Sequence, residues 1–588
     1  MIHLGRDKLL EPISREVLKD RYMLPGEKSP QEAFWRAANK YSSNVEHAQR
    51  LYDYASKLWF MFSTPVLSNA DTDRGLPISC FLNYVGDSRD GIMDHYRENA
   101  FLTSYGGGIG GYWGDVRPAG SKTSKGSEST GTIPFVKIVD SQMLAFSQGV
   151  TRRGSYAAYL DISHPEIEEF LDIRKPSGDI NRKSLNLHNA VCIPDSFMKL
   201  ILQATEEPGF DDSWDLIDPN SGAVIKTVPA KVLWIKILEN RLSTGEPYIY
   251  FIDTVNKALP VYQKDLGLYV NHSNLCSEIT LPSNKERTAV CCLSSVNLEE
   301  FYQWENEKNF IPDLILMLNN VLDDFIERAP QKDFAKAIYS ASRERSIGLG
   351  AMGFHAFLQA NNVAFESVTA KALNKKIFKH IKEEALRASQ GLVEKYGHAE
   401  GDPRAGQANA HLLAIAPNAS SSIICAATSP SIEPYRANAY TQKTLSGSHL
   451  VKNQYLEILL ENYGKNTEEV WKDIILHDGS VQHLDFLTEY EKYVFKTAPE
   501  IGQEWIIDLG ADRQEYICQS QSLNLFFPPD VTKDELHYIH LDAWRKGVKT
   551  LYYLRSDAVK KADKVSEKKQ RQYIIDEGQV EECVACEG

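Results

Sequence analysis

From about residue 133 to 440, short apolar runs alternate with longer stretches of helical periodicity, and this limits the fold more than any other feature. The strand-like runs include Ala190-Val-Cys-Ile-Pro and Pro247-Tyr-Ile-Tyr-Phe; the helical stretches include residues 315–325 and 375–386. Parallel strands need a crossover, and a helix is the usual one, so the pattern favours an α/β architecture with a largely parallel sheet or barrel. Residues 1–60 read as a separate helical region, with apolar side chains at helical spacing in 32–38 and 48–59 before Pro65 breaks the pattern. Beyond about 557 the chain turns charged and reads as a flexible tail.

Charge and cysteine usage narrow the function. A formal net charge of -14 argues against broad nucleic-acid binding, which needs basic patches. The N-terminus carries charges where a signal peptide would need an apolar core, and no apolar run is long enough for a bilayer. A soluble cytoplasmic protein without membrane partners is expected. The cysteine count, nine, is odd in a large chain, which disfavours a secreted disulfide scaffold. Cys192, Cys425 and Cys518 read as small apolar fillers.

The chemistry concentrates in residues 271–282, where Asn274, Cys276 and Glu278 fall at alternate positions. In an extended segment these three side chains share one face, presenting an amide, a thiol and a carboxylate as one row. The carboxylate can take a proton, the amide can orient a hydroxyl, and the thiol can donate a hydrogen atom. The bland alternative is a strand edge with an inert cysteine. Tyr105-Gly-Gly-Gly-Ile-Gly-Gly-Tyr lets a backbone or a ligand approach closely, but no Gly-Lys-Ser/Thr follows, so it is not a P-loop. Gly86-Asp-Ser-Arg-Asp-Gly reads as a turn that starts a helix, and Ala416-Pro-Asn-Ala-Ser-Ser-Ser as a loop feeding one. Free N–H groups at the latter suit an anion, or simply a serine cap. Adjacent Tyr552 and Tyr553 read as strand neighbours, one core and one surface. The tail carries Cys583 and Cys586; with no second pair at ligand spacing, no metal site is read, and thiol–disulfide exchange suits them better.

Taken in order, Ser63-Thr-Pro, Ser79-Cys80, Gly86-Asp-Ser, Gly107-Gly-Ile-Gly, Asn274-Leu-Cys-Ser-Glu278, Val290-Cys-Cys-Leu-Ser, Pro417-Asn-Ala-Ser-Ser, Tyr552-Tyr553 and the terminal dithiol resemble the large, catalytic subunit of class I ribonucleotide reductases. The resemblance runs from about residue 60 to the C-terminus. It implies a ten-stranded α/β barrel over 61–556, behind the helical region 1–60 and before the redox tail 557–588, with the Cys276 loop threaded through its centre. It implies that ribonucleoside diphosphates are reduced to deoxyribonucleotides by a thiyl radical on Cys276. Glu278 would accept the 3′-hydroxyl proton and Asn274 would hold the hydroxyls. Cys80 and Cys291 would be the reducing pair, Cys583 and Cys586 would re-reduce it, and Tyr552 and Tyr553 would relay the radical.

The same resemblance assigns Thr64, Ser79, Gly108 and the run Asn418, Ala419, Ser420, Ser421 and Ser422 to substrate binding. It assigns Asp87, Ser88 and Arg117 to an allosteric dNTP or ATP, and Asn181 and Arg182 to the loop that carries its signal. No covalently bound cofactor is implied. The radical would come from the metallocofactor of a small partner subunit, electrons from thioredoxin or glutaredoxin, and a nucleotide-induced homodimer remains open. The format resembles phage and some bacterial enzymes; in the former the compartment is the host cytoplasm.

Two departures stand out. Cys291 and Cys292 are adjacent where the family has one cysteine, and the register favours Cys291. Cys80 also lies too near the N-terminus to leave room for the usual ATP cone, so no dATP on/off switch of that type is expected. The competing readings are an adenosylcobalamin-dependent (class II) reductase, a non-catalytic nucleotide-binding relative, and a thiol–disulfide oxidoreductase built on the tail.

Overall fold

The computed structural model describes residues 1–146, 154–444 and 447–556. Its N-terminal region is helical. Helix Pro30–Lys40 begins at Ser29, which forms a capping box with Glu32, and helix Val45–Ser56 begins at Asn44, whose side chain accepts from His47 N. Each buries one apolar stripe, Phe34 and Ala37 on the first, Leu51 and Tyr52 on the second. Arg50 of the second helix grips Asp313 of helix Phe310–Arg328 through Nε at 2.7 Å and a terminal nitrogen at 2.8 Å. The helices expected around 315–325 and 375–386 are present as Phe310–Arg328 and Val368–Gly391.

The barrel has two halves. In the first, β1 (Cys80–Tyr84), β2 (Gly108–Tyr112), β3 (Ser155–Asp161), β4 (His188–Ile193) and β5 (Tyr248–Phe251) run parallel in that order. In the second, β6 (Ala289–Asn297) pairs in parallel with β7 (Ile347–Met352). Leu349 of β7 bridges to Leu413, Ile415 bridges to Gln521, and the 525–527 stretch pairs with 554–556, all in parallel. The halves join antiparallel, β1 to β6 at Cys80 opposite Cys291, and β5 to the strand at 550–551 with Tyr250 opposite Thr550. With 412–415, 519–527 and 550–556 counted beside β1–β7, ten staves close the ring among the described residues. The largely parallel staves are covered on the outside by crossover helices, and every residue of β5 and β6 is buried accordingly.

Residues 271–282 occupy the barrel centre. They hydrogen-bond to opposite sides of the ring: His272 Nε2 to Gly110 O (3.0 Å) and Tyr159 OH to Asn274 O (2.7 Å) on one side, Ser520 N to Glu278 O (2.9 Å) on the other. The glycine run in β2 accommodates them. A Cβ on Gly110 would lie 2.0 Å from Ser273 O, and one on Gly108 would lie 3.0 Å from Leu275 Cδ2. The run is therefore close packing of backbone on backbone.

Two local expectations need correction. Residues 271–282 are not an extended strand: the chain turns at 275–277, with Ser277 in the left-handed region at φ 69°. Threading a closed barrel requires a tight reversal, so the alternating-face argument does not hold there. Tyr552 and Tyr553 are not split between core and surface either. They lie between the short strands 550–551 and 554–556, where pairing is interrupted, and both are buried, 1% and 8% exposed.

Candidate active site

Cys80 and Cys291 are direct cross-strand partners, which brings their Cα atoms to roughly 4.5–5.5 Å, within the reach of a disulfide. Neither is in a disulfide. Alternation along β6 turns Cys292 to the other face, where its Sγ meets Leu318 O of the outer helix at 3.4 Å. Asn274 Nδ2 approaches Cys80 Sγ at 3.7 Å, and Glu278 Oε1 lies 4.0 Å from the same sulfur. Asn274 Oδ1 accepts from Ile279 N at 3.1 Å, which ties the amide to its own turn.

Among the described residues, no cation offsets the burial of Glu278. Its partners are neutral, the Asn274 amide and Ser522 Oγ (3.2 Å), and burial pushes its carboxyl up to about 7. Burial also pushes the Cys291 thiol well up, and Gln519 Nε2 donates towards its sulfur at 3.6 Å.

Cys276 belongs to a second buried cluster. It shares that cluster with Tyr112, Tyr159, Tyr248, Tyr552 and Tyr553, whereas Cys80 and Cys291 belong to a cluster with Leu82, Ile279 and Ala414. The Tyr552 and Tyr553 rings are 4.3 Å apart, and Tyr248 lies 4.7 Å from the first and 5.1 Å from the second. Tyr553 OH approaches His188 Nδ1 at 3.3 Å, and that imidazole meets Glu246 at 2.6 Å. The Arg555 guanidinium covers the Tyr553 ring at 4.2 Å.

The remaining residues of interest form two groups. Phe62 pairs with Ser294 of β6, and Thr64 follows at a helix start, its Oγ1 3.0 Å from Tyr22 OH. Asn418, left-handed at φ 56°, meets Ser295 Oγ at 2.8 Å and caps a six-residue helix, Ala419–Ile424, in which Ser420, Ser421 and Ser422 are buried. The hydroxyls of Ser63, Ser294 and Ser421 are buried without hydrogen-bond partners, as suits a surface awaiting a polar ligand. Ser79 O accepts from Gly108 N at 2.6 Å. In the second group Arg117 pairs with Asp87 at 2.9 Å, and Ser88 caps helix Arg89–Ser104 through Gly91 N. Asn181 and Arg182 sit on a short turn, with Arg182 held by Glu169 at 2.7 Å and 3.7 Å from Glu166. Cys583 and Cys586 lie outside the described residues.

Sequence reasoning passed over several groups that touch this site. Gln519, Ser520 and Ser522 come from a polar run that forms a buried stave, and Ser522 Oγ donates to Cys276 O at 2.5 Å. Tyr248 lies in a stretch read only as a strand, and His188 just before another. The one available signal was Gln519-Ser-Gln-Ser-Leu-Asn, an alternating polar run next to apolar sequence.

The barrel-domain model of ribonucleotide reductase matches residues 78–401 and 403–554, and the all-alpha-domain model of the same enzymes matches 8–75. The chain is 45% identical to the ribonucleoside-diphosphate reductase large subunit of Invertebrate iridescent virus 3, over 99% of each chain. It is 48% identical to the putative large subunit of Frog virus 3 over 94% of each. Its fold superposes on the class Id ribonucleotide reductase alpha subunit of Actinobacillus ureae with a TM-score of 0.82 and 36% identity, covering 94% of this chain and 99% of that one.

Proposed function

The chain belongs to the ribonucleotide reductase large-subunit family, and from that premise we propose that it reduces ribonucleoside diphosphates by radical chemistry at the loop 274–278. The carrying observation is the convergence of the cross-strand pair Cys80 and Cys291 with Asn274 and Glu278 at that loop, whose Cys276 shares a buried cluster with Tyr248, Tyr552 and Tyr553. Cys276 as a thiyl radical takes the 3′ hydrogen atom. Glu278, poised near neutrality by burial, takes the 3′-hydroxyl proton, and Asn274 orients the hydroxyls. The C2′–O bond breaks and the oxygen leaves as water. Cys80 and Cys291 supply two hydrogens and two electrons, and an S–S bond forms between them. Glu278 returns the proton to the 3′ oxygen, and the Cys276 thiol returns its hydrogen atom to C3′, which completes the product and re-forms the thiyl. That radical then passes back along the tyrosines and Cys276 regains a hydrogen.

Tyr552 and Tyr553 serve as the relay from a small radical-generating subunit, a role favoured by ring contact in a buried setting. Cys583 and Cys586 pass electrons from thioredoxin or glutaredoxin to the internal disulfide. Thr64, Ser79, Gly108 and residues 418–422 bind the substrate. Asp87, Ser88 and Arg117 bind an effector nucleotide, with Asn181 and Arg182 carrying its signal; occupancy there exchanges the Arg117–Asp87 pair for phosphate and ribose contacts.

The test is CDP reduction by the purified chain with dithiothreitol, with and without a metal-loaded small subunit, and separately with adenosylcobalamin. Activity only with the small subunit is the expected result. Activity with cobalamin alone would overturn the relay, and effector binding without turnover in either would favour a non-catalytic relative.

A further inference from the structure

Away from the barrel centre, the segment 468–487 brings together three side chains with no role in the reaction above. Asp473 and His477 are four residues apart at the C-terminal end of helix Glu468–Leu476, where such a spacing puts them on one face. The chain then turns and returns His483 to the same spot. Asp473 Oδ2 lies 2.9 Å from His483 Nε2, and Oδ1 lies 3.3 Å from His477 Nδ1. The imidazoles stack at 3.7 Å with planes 19° apart. One ligand atom from each of the three side chains falls within 4.8 Å of the others, the only such group among the described residues.

We propose that Asp473, His477 and His483 form a binding site for a borderline divalent cation of the Zn²⁺, Co²⁺ or Ni²⁺ kind. The separations are the first argument. Around a tetrahedral ion with bonds of about 2.0–2.1 Å, neighbouring ligand atoms stand roughly 3.3 Å apart. The Asp473–His477 separation of 3.3 Å matches that value, and the Asp473–His483 separation of 2.9 Å lies a little below it. The donor set is the second. Two imidazoles and one carboxylate suit transition cations, whereas Mg²⁺ and Ca²⁺ prefer all-oxygen sites. The stack is the third. It holds both imidazoles against the same carboxylate, so one cation can reach all three side chains. The helix C-terminus contributes partial negative charge. The side chains are 46%, 50% and 25% exposed, which leaves room for water to complete the coordination.

The site has a mechanical consequence. Trp471, Ile474, Val481, Leu484 and Leu487 form a buried cluster separate from the barrel core, and the three ligands span the turn that folds it. A bound cation clamps that turn to the helix. His477 Nδ1 now contacts Asp473 O at 2.9 Å, so binding through that nitrogen exchanges one contact for another and releases any proton held there.

The experiment uses the full-length chain with Cys583→Ser and Cys586→Ser, because a dithiol is itself a zinc ligand. Zn²⁺ is titrated into metal-free protein against a chromophoric chelator, and hydrogen exchange is followed over 468–487. Tight binding of about one equivalent, with slowed exchange confined to this segment, is the expected result. His477→Ala, His483→Ala and Asp473→Asn should each weaken it by ~10-fold or more. Mg²⁺ should give neither effect. Zn²⁺ binding that persists undiminished in the His477→Ala/His483→Ala double variant overturns the proposal, as does the absence of micromolar binding to the parent. Slowed exchange elsewhere than 468–487 overturns it too, and this readout requires no catalytic activity.

Discussion

Two groups of residues meet at the loop 271–282: two cysteines that face each other across a single antiparallel register, and a third cysteine that shares a buried cluster with tyrosines in ring contact. The two groups are positioned by different means. Cys80 and Cys291 are held by backbone pairing at the seam between the barrel halves, which fixes their separation whatever their neighbours do. Tyr248 is held by its place in β5, and Tyr552 and Tyr553, which lie between two short strands, are held against it by ring packing. Two-electron chemistry between sulfurs needs a bond to form, and rigid register supplies that reach. Single-electron transfer needs ring contact and exclusion of water, and packing supplies those. The turn at Ser277 lets one short loop serve both.

The largest effects should separate the two groups by product. Cys276→Ser and Tyr553→Phe should each lower CDP turnover by roughly 10³-fold or more, the scale for removing a group that performs the chemistry. Effector binding measured by calorimetry should be unchanged. Cys291→Ser should also stop turnover, but after the radical has reached the substrate, so base release and radical loss should appear with that variant and not with Tyr553→Phe. Identical behaviour of the two would erase the distinction drawn above.

Glu278 belongs to the loop where the two groups meet and should give the next effect. Glu278→Gln should cost about 10²–10⁴-fold in turnover, the usual range for a proton-transfer group. Its carboxyl stands at about 7, so the ionised fraction, and with it turnover, should rise from pH 6 to 8. The linkage to stability runs the other way. The raised value contributes stability that is fully present below about 4.5 and is lost as pH climbs through about 7. A rate flat across that interval in the wild type would remove Glu278 from the base role.

The same division explains what the sequence makes legible. Alternation of strands and helices is a property of each segment, so β4, β5 and the two long helices are readable from periodicity. The staves at 412–415 and 519–523 are short, and the second is polar; their strand character comes from neighbours on either side. The loop's turn has no local signature because closure of the barrel imposes it. The face that Cys291 presents follows from strand alternation, whereas the shared burial of Tyr552 and Tyr553 depends on tertiary contact that alternation misreads. Asp473, His477 and His483 were visible in sequence, but only the fold returns the third to the first two.

Gly110→Ala sharpens the comparison by disturbing only the loop's seat. Its Cβ would meet Ser273 O at 2.0 Å and Asn274 Cα at 2.8 Å, so the loop must shift. A displacement near 1 Å costs about 10²-fold when reacting groups must align, and turnover should fall by that amount. Gly391→Ala, where a Cβ meets nothing within 4 Å, is the control and should leave activity intact.

The smallest effect tests the register itself. Cys291 and Cys292 are one residue apart on β6, and only alternation distinguishes them. Cys292 Sγ lies against Leu318 O in the outer core, so Cys292→Ser should leave turnover within about twofold of wild type while lowering stability by about 1–2 kcal/mol, the cost of burying a hydroxyl in place of sulfur. The measurements are CDP turnover and a urea midpoint on the same preparation. If Cys292→Ser abolished turnover while Cys291→Ser retained it, β6 would be shifted by one residue against β1. The seam would then present the other sulfur, and the claim that backbone pairing sets the thiol pair would fall with it.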